Sequence, residues 1–219
     1  MEADLQLLVD GCIGAHRRLL ATLEVVDDAT ARGLSQLPAW TRGHVLTHLA
    51  RNADSHVRLL QAAGEGRVVE QYEGGLTQRA ADIEAGALRA ASALCDDVRS
   101  SVDRLETTWS ETTEAGWQGT GLMTGTPWPC RLLPFQRWRE VEIHHVDLGL
   151  AYTPEDWPEE YVARELPAAL LGLPERLAAG DERRHMLAWL LGREDHVPPL
   201  TVPWQSQGEY YFASATDCR

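Results

Sequence analysis

Apolar residues recur every three or four positions in four long stretches of the chain, which is the period of an amphipathic helix. The predicted helices span residues 3–26, 42–63, 78–110 and 131–150. The second helix begins after Thr41, a favourable N-cap residue, and the third has Leu88 and Leu94 on its inward face. Residues 111–129 are rich in Gly, Thr and Trp, which predicts an extended crossover with one short strand pair.

Four long helices with one extended crossover predict a four-helix bundle, in which sites are built from inward residues of facing helices. The composition changes after Tyr152, and two shorter helices are predicted at 159–178 and 181–191, followed by a short strand-like tail. We therefore predict a mainly α fold. A bundle over residues 1–151 is followed by a small α/β or α part over residues 152–219.

Charge and apolar content exclude several classes of partner. A formal net charge of −13 opposes binding to nucleic acid, because that affinity depends on a basic surface. The sequence has no apolar run long enough to span a membrane and no secretory signal, so a cytoplasmic location is expected. The four cysteines form no C-x-x-C motif, which argues against a structural zinc site and favours reduced, buried thiols.

The segment R-E-V-E-I-H-H-V-D-L-G of the fourth helix places Glu140 and His144 four residues apart. Two side chains at this spacing leave the same face of a helix, and a carboxylate with an imidazole can form half of a divalent metal site. A solvated surface pair has the same spacing, so the pattern alone leaves both interpretations open.

The second helix carries His44, His48 and His56, from which a third metal ligand could come. His48 lies in the middle of the apolar row and is our choice; the alternative is a core histidine paired with Asp147 or Glu142. The result would be a two-histidine, one-carboxylate site, which zinc uses when it keeps a position open for a substrate.

Two further residues flank the predicted ligands. His145 points about 100° away from His144 on a helix and is a weaker candidate. Asp147 could orient a ligating imidazole, because ligand histidines usually donate their second N–H group to a carboxylate or a carbonyl.

The segments W-T-R-G-H-V-L-T-H-L-A-R-N-A-D and R-E-V-E-I-H-H-V-D-L-G together resemble the signature segments of the mycothiol-dependent maleylpyruvate isomerases, a branch of the DinB-like bundle superfamily. The resemblance covers roughly residues 1–150 and implies a metal, typically zinc, held by His48, Glu140 and His144. The segment M-L-A-W-L-L-G-R-E-D is similar to the part of the family that supplies a substrate-binding arginine, which implies a catalytic role for Arg193. A helix-end arginine is the alternative.

A metal with an open position can deprotonate a bound thiol. The resemblance implies that the thiol is mycothiol and that the substrate is a maleylpyruvate-like unsaturated acid, which the thiolate isomerises from cis to trans. Transfer of the thiol sulfur to an electrophile would use the same chemistry. Arg137, Arg139 and Arg193 are candidate cations for the substrate, while Trp40, Trp128 and Trp138 either line the pocket or belong to the core.

Two other functions remain open from the sequence. A metal-dependent hydrolase would activate water instead of a thiol and would need Glu142 or Asp147 as a general base. A non-catalytic metal-binding bundle is the second alternative, and the abbreviated C-terminal part favours it. The oligomeric state, the substrate and the identity of the metal do not follow from the sequence.

Overall fold

A computed structural model describes residues 3–171, 173 and 182–196. The helices of these residues are α1 (Ala3–Thr22), α2 (Asp28–Arg32), α3 (Arg42–Gly64), α4 (Gly75–Ala87), α5 (Ala91–Glu111), α6 (Glu114–Gln118), α7 (Leu133–Asp147), α8 (Glu159–Leu171) and α9 (Glu182–Leu190). Strands β1 (Thr120–Met123) and β2 (Thr126–Pro129) form an antiparallel hairpin. The predicted mainly helical fold is confirmed.

The four long helices α1, α3, α5 and α7 form a closed ring of contacts. Helix α3 packs against α5 and α7, and α1 packs against the same two helices. Leucine, valine and alanine side chains fill the interior, and α3 presents the most buried face of the four. This arrangement is the predicted four-helix bundle, with the extended crossover between its last two members.

The predicted third helix is wrong in one respect, because residues 78–110 do not form a continuous helix. The helix stops at Ala87 and a new one begins at Ala91. The carboxylate of Asp28 accepts a hydrogen bond from the backbone N–H of Ala91 at 2.7 Å, so a side chain of α2 caps α5. Leu88, predicted to face inward, lies in this break with 81% of its surface exposed.

The crossover contains the predicted strand pair and also the short helix α6. The tight turn between the strands has positive φ angles at Thr124 and Gly125, as the common two-residue hairpin turn requires. A 3-10 turn, Cys130–Leu132, then leads into α7. Helix α7 ends at Asp147, three residues before the predicted end, and Gly149 follows with a φ angle of +61°.

The contacts divide the chain into two compact units, Met1–Tyr161 and Val162–Arg219. Helix α9 and the predicted residue Arg193 belong to the second unit. The predicted domain division into residues 1–151 and 152–219 stays a prediction, and the predicted strand-like tail lies outside the described residues. No helix of the described ranges is long and apolar enough to cross a membrane.

Candidate metal centre

His48, Glu140 and His144 meet between α3 and α7. The Oε2 atom of Glu140 is 2.9 Å from Nε2 of His48 and 3.5 Å from Nε2 of His144. The two imidazole rings are perpendicular, with centroids 4.5 Å apart. One ligand atom from each of the three residues lies within 4.8 Å of the others. The surface-pair interpretation of Glu140 and His144 is wrong, because His144 is buried and Glu140 also contacts the buried His48.

Two arginines fix α7 against α3 on either side of this cluster. Arg137, one turn before Glu140, is fully buried and donates to the carbonyl of Leu49 and to Oδ1 of Asn52, both at 2.9 Å. At the other end, Arg42 donates to the carbonyl of Leu148 at 2.6 Å. A buried guanidinium needs such acceptors, so these contacts set the register that brings α7 to His48.

Arg137 also reaches a third helix. Its Nε donates to Nε2 of His16 on α1 at 3.1 Å, and Nδ1 of His16 lies 2.8 Å from Oε1 of Glu106 on α5. Arg137 is therefore part of a polar network inside the bundle. The prediction that it could bind the substrate is wrong, because its side chain is fully buried.

The outer nitrogens of the two predicted ligand histidines have different partners. Nδ1 of His144 lies 2.8 Å from Oδ2 of Asp147, as predicted for an orienting carboxylate. Nδ1 of His48 lies 3.0 Å from an Nη atom of Arg79, which comes from α4. Trp40 covers the cluster from another side, with its ring centroid 5.9 Å from that of His48.

The surroundings of the three residues shift their pKa values in different directions. Burial lowers the pKa of His48 to about 3, and the neighbouring His144 adds to this effect. Burial opposes charge on Glu140 as well, but hydrogen bonds from both histidines hold its pKa well below its usual range. For His144, contacts with Asp147 and Glu140 outweigh burial and raise its pKa. The cluster thus favours an ionised carboxylate and a neutral His48.

The three residues fit a divalent metal. Two imidazole nitrogens and one carboxylate oxygen are a common zinc donor set, and they would leave a fourth position open. In a tetrahedral site, ligand atoms are about 3.4 Å apart, which follows from metal–ligand bonds of about 2.1 Å. The separations of 2.9 Å and 3.5 Å to Glu140 bracket this value.

Two of the other three histidines near the cluster have structural partners. Nδ1 of His44 accepts a hydrogen bond from the backbone N–H of Thr41 at 3.1 Å and so caps α3. Nε2 of His145 lies 2.7 Å from the hydroxyl of Thr22, and its ring stacks on Tyr152. His56 is fully buried. Among the described residues, the candidate metal cluster contains His48 and His144 but none of these three histidines, and metal binding by the cluster stays a prediction.

The two carboxylates considered as a general base already have partners. Glu142 is fully buried and accepts hydrogen bonds from Trp138 Nε1 at 2.8 Å, Tyr152 OH at 2.5 Å and Arg18 at 2.5 Å. It pairs with neither His48 nor the metal cluster, and Asp147 is bound to His144. Neither carboxylate is placed to activate water, so the structure offers no support for the hydrolase alternative.

The remaining predicted site residues fall in different places. Trp138 and Trp128 are core residues with 3% and 4% exposure, which leaves Trp40 as the tryptophan beside the cluster. Arg139 is half-buried on α7. Arg193 follows α9, where Gly192 has a φ angle of +67° and the Arg193 N–H donates to the carbonyl of Ala188 in a helix-capping turn. A catalytic role for Arg193 stays a prediction.

Sequence reasoning missed Arg79 and Tyr72. The guanidinium of Arg79 lies over the Tyr72 ring at 5.5 Å from its centroid, next to His48. Arg79 lies in α4, within residues 78–110 where a continuous helix was expected, and Tyr72 precedes that stretch. Without the orientation of α4, no pattern in the sequence connects Arg79 to the cluster.

The structure defines the class of this protein as a helical bundle in which two histidines and a carboxylate converge from facing helices as a candidate metal site. Residues 14–149 match the family model described as the mycothiol maleylpyruvate isomerase N-terminal domain. The chain belongs to this family, which confirms the resemblance drawn from its two signature segments.

Two solved structures are similar to the chain. Both are crystal structures of the mycothiol-dependent maleylpyruvate isomerase, one of them a mutant with alanine in place of a histidine. Each has 31% identity and a TM-score of 0.69, over 73% of this chain and 66% of the solved chain. The similarity thus spans just under two thirds of the solved protein. No curated protein matches the sequence.

Proposed function

We propose that this protein is a zinc-dependent enzyme that uses mycothiol to isomerise a maleylpyruvate-like unsaturated acid from cis to trans. The observation that carries the proposal is the convergence of His48, Glu140 and His144 between two facing helices. Family membership supports the thiol and the reaction, because the similar solved proteins bear that name. A cytoplasmic location agrees with the free thiols of Cys12 and Cys95.

The proposed metal would be held by Nε2 of both histidines and by the carboxylate of Glu140. When bound, it would supply a thiolate at neutral pH, because a coordinated thiol loses its proton. A thiolate can add to the cis double bond, the resulting single bond can rotate, and elimination then gives the trans isomer and returns the thiol. The thiol is consumed only in the alternative reaction, in which its sulfur is transferred to an electrophile.

The chain's own residues prepare the site for this chemistry. Asp147 accepts a hydrogen bond from Nδ1 of His144, so Nε2 is the nitrogen of that ring that faces Glu140 and would bind the metal. The anionic carboxylate of Glu140 lowers the net charge of the loaded site and strengthens metal binding. Trp40 shields the histidine rings on one side, which lowers the local dielectric and strengthens these contacts.

The test compares wild type with His48→Ala and with Glu84→Gln as a control, since Glu84 lies on the neighbouring helix α4 with a 70% exposed side chain. Each protein is stripped with a chelator, reloaded with zinc and mixed with mycothiol and maleylpyruvate. We expect fumarylpyruvate without loss of thiol from wild type and from the control, and none from His48→Ala. No product from zinc-loaded wild type, or full activity of His48→Ala, would contradict the proposal.

A further inference from the structure

Arg79 projects from α4 to the edge of the metal cluster. One of its Nη atoms lies 3.0 Å from Nδ1 of His48, and its guanidinium rests on the ring of Tyr72. Arg79 is half-buried, and within the described part of the chain it forms no ion pair with a carboxylate. A cation at the edge of a candidate active site without a protein counter-ion is available to an anionic ligand.

The contact with Arg79 determines the tautomer of His48. A guanidinium has only donors, so Nδ1 of His48 must accept its hydrogen bond. The ring proton of the neutral imidazole is then on Nε2, which donates it to Glu140 at 2.9 Å. His144 has the opposite arrangement, because Asp147 accepts a proton from its Nδ1. The two histidines therefore differ at Nδ1. Nδ1 of His144 is a donor, as binding of a metal through Nε2 requires, whereas Nδ1 of His48 is an acceptor.

Binding of a metal through Nε2 of His48 requires the ring proton to be on Nδ1. That N–H would then face the N–H groups of Arg79, donor against donor, and the contact could not persist. Arg79 would lose its partner on His48 while Tyr72 still supports its guanidinium beside the cluster. Loading of the site would thus release a guanidinium beside the cluster.

We propose that Arg79 binds a carboxylate group of the unsaturated acid substrate, and that metal loading frees it for this role by removing its contact with His48. The inference rests on the proposed function, which supplies both the metal and an acidic substrate. A guanidinium binds a carboxylate through two parallel N–H···O bonds, which would fix the orientation of the substrate over the cluster. Arg79 is in this account a substrate-binding residue supplied by the bundle itself.

The first test concerns the zinc affinity, which is measured by competition with a chromophoric chelator in the absence of substrate. Arg79→Met removes the contact that opposes the metal-binding tautomer and a positive charge beside the metal, so we expect about tenfold tighter zinc binding. Arg99→Met is the control, because Arg99 pairs with Asp96 on the surface of α5. Equal or weaker zinc affinity of Arg79→Met than of wild type would overturn the inference.

The second test uses maleate, a cis-unsaturated dicarboxylate, as a probe in calorimetric titrations of the zinc-loaded proteins. We expect Arg79→Met to bind maleate at least about tenfold more weakly than wild type, and Arg79→Lys to recover part of the loss. Unchanged maleate affinity of Arg79→Met would overturn the inference while leaving the proposed function intact. A wild type that binds no zinc would instead contradict the proposed function, and with it this inference.

Discussion

His144 and Asp147 lie one turn apart on α7, and Nδ1 of the histidine is 2.8 Å from Oδ2 of the aspartate. This contact presents Nε2 of His144 to Glu140 and raises the pKa of His144, since a carboxylate beside the ring offsets the effect of burial. We expect Asp147→Ala to weaken zinc binding by about 10- to 100-fold, the usual effect of losing an orienting carboxylate. Asp147→Asn should recover part of the affinity, because its amide oxygen still accepts the hydrogen bond.

The measurement is a zinc titration of the three proteins with a competing chelator at one pH. Asp82→Asn on the exposed surface of α4 is a suitable control. If Asp147→Ala bound zinc as tightly as wild type, Asp147 would have no part in preparing the ligand.

Close packing of α1 on α7 depends on Gly11. A Cβ atom added at this position would lie 2.2 Å from Cζ3 of Trp138, whereas one added at Gly14 would meet only the end of the flexible Arg18 side chain at 3.4 Å. We expect Gly11→Ala to lower the free energy of unfolding by about 1–3 kcal/mol through overpacking. Gly14→Ala should leave it unchanged or raise it by up to about 1 kcal/mol, because alanine favours the helix.

Chemical denaturation of the two alanine variants measures this difference directly. The paired design matters because both glycines lie in the same helix and differ only in what surrounds them. Equal stability of the two variants would contradict the packing of α1 against Trp138.

His56 makes the protein sensitive to acid. Burial, aided by the charge of Arg137, lowers the pKa of His56 to about 3, and neither ring nitrogen has a hydrogen-bond partner among the described residues. The unfolded chain, with a histidine pKa near 6.5, binds this proton more readily, so stability falls as the pH drops from 6.5 towards 3. At pH 5, this one residue should cost about 2 kcal/mol relative to pH 7.5.

The free energy of unfolding is measured at pH 7.5 and pH 5 for wild type and His56→Leu, both in the presence of a chelator. The difference between the two pH values should be smaller by about 2 kcal/mol in the variant. A variant with the same pH dependence as wild type would show that His56 is not a buried neutral imidazole.

Arg193 is the predicted catalytic residue of the second unit, at the capping turn after α9. If its guanidinium binds the substrate, Arg193→Met should lower kcat/KM for isomerisation by roughly tenfold or more and leave the zinc affinity unchanged. Arg183→Met, an exposed residue of α9, serves as the control. Equal kcat/KM for wild type and Arg193→Met would show that Arg193 does not bind the substrate and is only a helix-end residue.

The three residues of the candidate metal cluster could be predicted to meet because their signals are local. The spacing of Glu140 and His144 fixes their shared face once α7 is a helix, and the two signature segments indicate His48 as their partner. The four-helix bundle could be predicted for the same reason. An apolar period sustained over a long stretch indicates a helix whatever the details of its packing.

The features that could not be predicted depend on residues far apart in the sequence. The break between α4 and α5 is fixed by Asp28, which caps Ala91 from 63 positions away. The buried positions Ile83, Ala87, Ala91 and Leu94 keep a helical spacing across the break, so the apolar pattern does not show it. Arg79 was missed because its contact with His48 depends on the orientation of α4, which ends at this break. Arg137 was misjudged because its acceptors, Leu49 and Asn52, lie on another helix, and an arginine on a helix is ordinarily solvated.

The proposed function depends on a metal held by His48, Glu140 and His144, and the zinc content of the protein measures this without any substrate. Wild type, His48→Ala, Glu140→Ala and His144→Ala are dialysed against limiting free zinc at pH 7.5 and analysed for bound metal, with His44→Gln as the control one turn before His48. We predict about one zinc per chain for wild type and the control, and less than about one tenth of that for each alanine variant. A wild type without bound zinc, or a His48→Ala protein that keeps it, would contradict the account.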